Sequence, residues 1–261
     1  MGKVGLRTSL SGIRRIDGVD GGSALIESAI ATATLPTTEM DLEQARLNMI
    51  EQQIRPWDVL DQSVLDLLYT VRREEFVPPQ LRALAFADVE LPLKIDGVDT
   101  GEVMMSPKVE ARLLQELGVQ AHETVLEIGT GSGYMTALAA HRGRSVLSIE
   151  IDRRLHAFGL ANLNRAGIRN VRVESGDGAL GWIERAPYDV IIVSGSVPVL
   201  PDVLLAQLKV SGRLSAIVGY APAMTAQIVT RVSESDYDTL SLFETCLKPL
   251  RNAWRPDPFR F

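Results

Sequence analysis

The chain has a single cysteine, Cys246, among 261 residues. That excludes an intramolecular disulfide framework and a multi-cysteine zinc site, and it fits a reducing, cytoplasmic compartment. Its histidines are only three, His122, His141 and His156, and they are scattered. None stands at the i, i+4 spacing or in the His/Cys cluster that seats a transition metal, so no metal is expected. No apolar run approaches the ~18 residues of a membrane span. Positive charge is not in excess either, since 27 Lys and Arg face 33 Asp and Glu for a net charge of −6. This argues against a partner such as nucleic acid or an anionic membrane surface. What is present, 46% hydrophobic and 23% charged residues, is the composition of an ordinary globular protein.

Organisation changes near residue 40. Residues 1–40 are dominated by Gly, Ser, Thr and Ala, and Gly18, Gly21 and Gly22 interrupt any helical period, so this stretch reads as a poorly ordered extension. Early basic residues and an apolar stretch at 24–35 imitate a secretory signal, but Glu27 inside that stretch and the long polar lead argue against export. From Asp41, apolar residues recur at helical spacing up to Pro56. Asp61 is placed to cap a second helix with Val64, Leu65, Leu68 and Val71 on one stripe. Residues 97–101 read as a loop, and a third helix is expected after Pro107 with Val109, Leu113, Leu114 and Leu117 buried. Residues 41–120 thus form a helical N-terminal layer, followed by an α/β core over 121–261.

The core alternates. Runs rich in Val, Ile and Leu at 124–128, 145–149, 170–174, 189–194 and 213–219 are separated mostly by helical stretches. This is the rhythm of a doubly wound, Rossmann-like parallel sheet with helices on both faces. Val190-Ile191-Ile192-Val193 is continuously apolar, as a central strand buried on both sides requires. Residues 226–232 and 240–247, with no long helix between them, are expected to close the sheet as a hairpin-like pair.

Chemistry concentrates in one turn. Val125-Leu126-Glu127-Ile128-Gly129-Thr130-Gly131-Ser132-Gly133-Tyr134 runs a strand into a glycine-rich turn and out into a helix, baring backbone at the carboxyl edge of the sheet, where open α/β folds bind ligands. Glu150 ends the next strand, 21 positions after Gly129, where a carboxylate can accept both ribose hydroxyls of an adenosine. Asp177, in Ser175-Gly176-Asp177-Gly178, follows the third strand and can face an adenine amino group. A nicotinamide dinucleotide fingerprint would need glycine at 134, where this chain has Tyr134. The pattern favours an adenosyl-sulfonium ligand without a pyrophosphate.

With these residues the chain, from about 41 to 250, resembles the protein-L-isoaspartate O-methyltransferase family. The resemblance rests on the glycine turn and on restricted blocks: Arg73-Glu74-Glu75-Phe76-Val77-Pro78, Ala85-Phe86-Ala87-Asp88, Leu91-Pro92-Leu93, Gly176-Asp177-Gly178 with Gly181-Trp182, residues 186–193, and Pro249-Leu250. It implies S-adenosyl-L-methionine as cofactor and, as partner, a damaged protein whose isoaspartyl carboxylate is methylated. The cofactor-binding set expected is Glu127, Gly129, Thr130, Gly131, Ser132, Gly133, Glu150, Ile151, Asp177 and Gly178. One segment departs from the family pattern Gly-Gln-Thr-Ile-Ser-x-Pro. Anchored on Pro107, this chain reads Gly101-Glu102-Val103-Met104-Met105-Ser106-Pro107, so Val103 and Met105 stand where two hydroxyls are usual. Val103, Met104 and Met105 are expected to line the acceptor pocket. Ser106 is the catalytic candidate left, with a helix cap before Pro107 as its other reading. The departure keeps open a different acceptor, or a protein that binds the cofactor without turnover. The basic residues Lys248, Arg251, Arg255 and Arg260 read as a solvated face, with contact to an acidic substrate as their other reading.

Overall fold

In the computed structural model, which describes residues 39–255, the apolar runs become a seven-stranded sheet. In chain order its strands are β3 (Thr124–Ile128), β4 (Ser145–Glu150), β5 (Val171–Ser175), β6 (Tyr188–Val197), β7 (Leu208–Tyr220), β8 (Ala223–Arg231) and β9 (Tyr237–Thr245). Their spatial order is β5-β4-β3-β6-β7-β8-β9. The first five are parallel, and β8 and β9 close the sheet antiparallel, as the missing helix between them requires. The chain winds outward through β4 and β5 and then returns to the other side of β3. The order therefore reverses beside β3, which is where ligand crevices open in such sheets.

Register decides which side chains meet which face. Leu126 of β3 pairs with Leu147 and Ile191, and Val190 to Val193 are fully buried. Leu126 and Ile128 pack with Leu204 and Leu208, whereas Glu127, one residue out of phase, reaches the opposite face and Thr136. The two faces are covered unequally. The Glu127 face carries α4 (Tyr134–Arg142), and the Leu126 face carries the one-turn α6 (Asp202–Leu205) and the segment around Gly178. Helix α5 (Arg153–Arg165), capped by the Asp152 carboxylate accepting from Arg154 N, lies between β4 and β5 in sequence.

The N-terminal layer begins with α1 (Glu39–Met49), so Glu39 and Met40 belong to a helix rather than to the extension, whose other residues lie outside the described range. The helical path runs on through a π turn at Ile50–Ile54 and a 3-10 turn at Arg55–Trp57, where Pro56 lacks the N–H to continue it. Helix α2 (Gln62–Thr70) is capped by Asp61 through Ser63 N at 2.8 Å. Helix α3 (Pro107–Leu117) starts with Pro107 and buries the four apolar residues expected of it. The layer is not purely helical. Residues 97–101, expected as a loop, belong instead to a hairpin of β1 (Leu91–Ile95) and β2 (Val98–Met104). Asp96 and Gly97 both take positive φ, 51° and 78°, the geometry of a two-residue primed turn. No helix among the described residues is long and apolar enough to cross a membrane.

Candidate active site

The turn after β3 bends because Gly131 adopts φ +51°, which aims its N–H at the sheet edge. That N–H donates to Glu150 Oε2 at 2.8 Å, and Asp152 N donates to Glu150 Oε1 at 2.9 Å. Glu150 is 4% exposed. Burial pushes its pKa up, against the pull of the two backbone N–H groups. A carboxylate offers about four lone-pair sites, so two remain for a ligand. Ile151, next in sequence and 37% exposed, presents an apolar flank to the same cleft. Across it, Asp177 accepts from Ala179 N at 3.0 Å and from Asn252 Nδ2 at 2.8 Å, and Gly178 lies buried against Ile128 and Ile149.

Glu127 lies on the same cleft and also holds the framework of the turn. Its carboxylate is fully buried and accepts from three hydroxyls: Thr136 of α4, Ser148 of β4 at 2.7 Å and Ser194 of β6 at 3.0 Å. Thr130 joins the network through Ser148 at 2.6 Å. Glu127 thus clamps the glycine turn to three neighbouring elements from beneath. Burial pushes its pKa to about 7, the hydroxyl donors opposing. A carboxyl raised above its unfolded value of 4.5 stabilises the fold below pH 4.5 and loses that contribution as pH rises to 7. Relative to wild type, Glu127→Gln should therefore gain stability by roughly 1 kcal/mol per pH unit inside that window and stay flat above it. Urea unfolding from pH 4.5 to 8 tests this, and a pH-independent difference would show that Glu127 stays charged throughout.

Close packing under the turn falls on a residue that sequence reasoning passed over. A Cβ on Gly131 would merely touch Leu93 at 3.5 Å, but one on Gly159, in α5, would stand 2.8 Å from Thr130 Cγ2 and 3.0 Å from Gly131 O. Ordinarily Gly→Ala inside a helix stabilises by about 0.5 to 1 kcal/mol. Here overpacking, typically about 1 to 3 kcal/mol, should win. Gly159→Ala is expected to lower the melting temperature and weaken cofactor binding together; a rise in melting temperature would contradict this packing. Asn162, one turn further along α5, supports the turn by donating to Ser132 O at 2.9 Å.

The facing wall comes from β2 and the residues after it, with Val103, Met104 and Met105 on the cleft. Ser106 is not on that wall. It occupies the N-cap position of α3 just before Pro107, 8% exposed, and its side chain makes no capping hydrogen bond. The carbonyl just before it, Met105 O, accepts from Arg73 Nη2 at 2.5 Å, which holds the segment in place. Of the C-terminal basic residues, Lys248, Arg251 and Arg255 are exposed, as a solvated face requires, but Lys248 and Arg251 also line the cleft, while Arg255 lies off it and Arg260 is outside the described residues. Their segment is tied to the end of β6, with Ser196 N donating to Lys248 O at 3.0 Å and Leu250 N to Ser196 O at 2.9 Å. Trp182 sits below Gly176 rather than in the cleft.

A glycine turn, an anchored carboxylate at the end of the second strand and an acidic residue after the third thus share one cleft. Residues 44–246 match the family model described as Protein-L-isoaspartate(D-aspartate) O-methyltransferase (PCMT). The chain belongs to the protein-L-isoaspartate O-methyltransferase family. It is 37% identical over 211 residues to protein-L-isoaspartate O-methyltransferase 2 of Marinobacter nauticus, covering 80% of this chain and 94% of that one. Identity reaches 41% over 194 residues with the protein-L-isoaspartate O-methyltransferase of Anaeromyxobacter dehalogenans, covering 74% of this chain and 88% of the relative. A solved protein-L-isoaspartate O-methyltransferase superimposes with a TM-score of 0.66 at 26% identity, over 78% of this chain and 65% of that chain. A Plasmodium falciparum structure in complex with S-adenosyl-L-homocysteine gives the same TM-score at 20% identity, over 80% and 97% of the two chains, a likeness of fold.

Family membership makes the protein an S-adenosylmethionine-dependent protein-L-isoaspartate O-methyltransferase. The wall at 103–105 on the other side of the cleft is apolar in its side chains. Among the described residues no cluster of His, Cys, Asp or Glu is arranged to hold a metal ion.

Proposed function

We propose that the cleft at the carboxyl edge of β3 and β4 holds S-adenosylmethionine on one side and the isoaspartyl carboxylate against residues 103–105 on the other. The single observation carrying this reading is the Glu150 carboxylate, buried, anchored by Gly131 N and still able to accept ribose hydroxyls in the same cleft as Val103, Met104 and Met105. The lining fits the ligand in charge as well. Glu102 is matched by Lys248 and Arg251, and Glu110 by Arg73, which leaves the acidic side chains Glu150 and Asp177 on the cofactor side, a lining that favours a cationic sulfonium. Gly129 to Gly133 leave the main chain bare, and Ile151 offers an apolar flank for a base.

When bound, the cofactor supplies an electrophilic methyl group that a carboxylate oxygen displaces, leaving a neutral thioether. The protein need not supply a general base, because a carboxyl group ordinarily titrates near about pH 4 and is already ionised at neutral pH. What remains for this chain is alignment, which can contribute roughly 7 kcal/mol or more, and exclusion of water, to which the apolar Val103 and Met105 are suited. Ser106 has no catalytic part in this reading, and Glu127 positions the turn. Repair of damaged protein in the cytoplasm is the setting that the single cysteine favours.

The test is methyl transfer from labelled S-adenosylmethionine to an isoaspartyl peptide, with the aspartyl peptide as control and cofactor binding followed by calorimetry. Turnover of the isoaspartyl peptide alone is the expected result. Cofactor binding without turnover would mean that the altered 103–105 wall serves another acceptor.

A further inference from the structure

An acidic cleft that welcomes a sulfonium also repels a carboxylate, and the wall facing the acceptor, Val103, Met104 and Met105, offers no side-chain donor. Most hydroxyls that line the cleft are already engaged. Thr130 is bonded to Ser148 and Ser194 donates to Glu127, while Ser132 Oγ accepts from Tyr134 N and is left with a single neutral, buried O–H. Among the described residues lining the cleft only two carry positive charge, Arg251 and Lys248. Every nitrogen of Arg251 is tied to a protein oxygen, which fixes the plane of its guanidinium: Nε to Glu102 at 2.7 Å, Nη1 to Asp152 at 3.2 Å, and Nη2 to Thr100 O at 3.1 Å.

Lys248 is placed differently. Its ammonium donates to Gly101 O and lies 3.2 Å from Glu102 Oε2, an anion that Arg251 already holds more closely. An ammonium has three donors, so at least one is spare, and the side chain is 41% exposed at the cleft mouth. Its backbone is fixed on the end of β6 through Ser196, while its tip rests on β2, two residues before Val103. The position is therefore built rather than incidental.

We propose that the Lys248 ammonium captures and orients the acceptor carboxylate, taking over the donor function that residues 103–105 lack. This rests on the function proposed above. It also gives the reaction a release step, because esterification removes the negative charge that Lys248 reads. Lys248 is a positioning and specificity-determining residue here, acting on the substrate's anionic group through a charge-assisted hydrogen bond.

Steady-state kinetics with an isoaspartyl peptide at saturating S-adenosylmethionine, alongside calorimetry with S-adenosylhomocysteine, test the idea on the full chain. Lys248→Met is expected to raise the peptide KM by about tenfold or more, with kcat and S-adenosylhomocysteine affinity near wild type. Lys248→Arg should recover most of the loss, since it restores a cationic donor. An unchanged peptide KM in Lys248→Met overturns the inference while leaving the methyltransferase reading intact. Parallel loss of S-adenosylhomocysteine affinity and melting temperature in both variants overturns it too, by showing that Lys248 merely ties the C-terminal segment to β2. A wild-type protein without turnover on the isoaspartyl peptide overturns the acceptor reading and this inference with it.

Discussion

Arg73→Met is expected to lower the unfolding free energy by about 3 to 5 kcal/mol, the usual cost of stripping one partner from a buried ion pair. Arg73 is 1% exposed and sits at a junction of the N-terminal layer. Its guanidinium pairs with Glu110 of α3, donates to Ala85 O at 2.9 Å and to Met105 O at 2.5 Å, and lies 4.9 Å from the centre of the Tyr134 ring. Removing it leaves two carbonyls unsatisfied and Glu110 buried without its cation. Burial already pushes Glu110 up to about 7 against the attraction of Arg73, so the lone carboxyl would take up a proton and soften the loss at low pH. Urea denaturation at pH 5.5 and pH 8 should show the larger deficit at pH 8. Adding Glu110→Leu to Arg73→Met should recover part of the stability, because a paired charge replaced by apolar bulk is often neutral. Catalysis would stay impaired, since Met105 O would still lack the donor that sets the acceptor wall. A loss below about 1 kcal/mol would mean that solvent reaches the site and compensates the charge.

The second large effect falls on ligand binding. Glu150→Ala should weaken S-adenosylhomocysteine binding by about 1.5 to 3 kcal/mol, roughly 10- to 100-fold, through loss of charge-assisted hydrogen bonds. The structure adds a second reason. Glu150 Oε2 holds Gly131 N and Oε1 holds Asp152 N, so removing the carboxylate also frees the glycine turn and the N-terminus of α5. Glu150→Gln separates these causes, because its amide oxygen can retain one backbone donor while the charge is gone. Calorimetry should rank affinity as wild type, then Gln, then Ala. Equal affinity across all three would remove Glu150 from the cofactor site.

Much of this protein was written locally. The parallel strands, the Asp61 cap, the Pro107 helix start, the glycine turn and the spacing to Glu150 follow from periodicity, capping chemistry and turn residues. All of these act over a few positions. The hairpin at 91–104 was also within reach, since Asp96-Gly97 is a two-residue turn signal, but Pro92 and the short strands on either side masked it.

Other features had no local signature. Glu127 was expected at the cofactor, but nothing local showed that register would set it among Thr136, Ser148 and Ser194. Nothing in the sequence marked Gly159, which α5 packs against Thr130. Lys248 and Arg251 read as surface charge, although the neighbouring Pro249-Leu250 already belonged to a family block. Their contacts with residues 100–102 span 147 to 151 positions. By itself the sequence determined most of the elements and the chemistry of the cofactor edge, because each is set by neighbours along the chain. Tertiary structure alone decided the order of the strands and which charges line the cleft, because that depends on elements distant in sequence converging on one place.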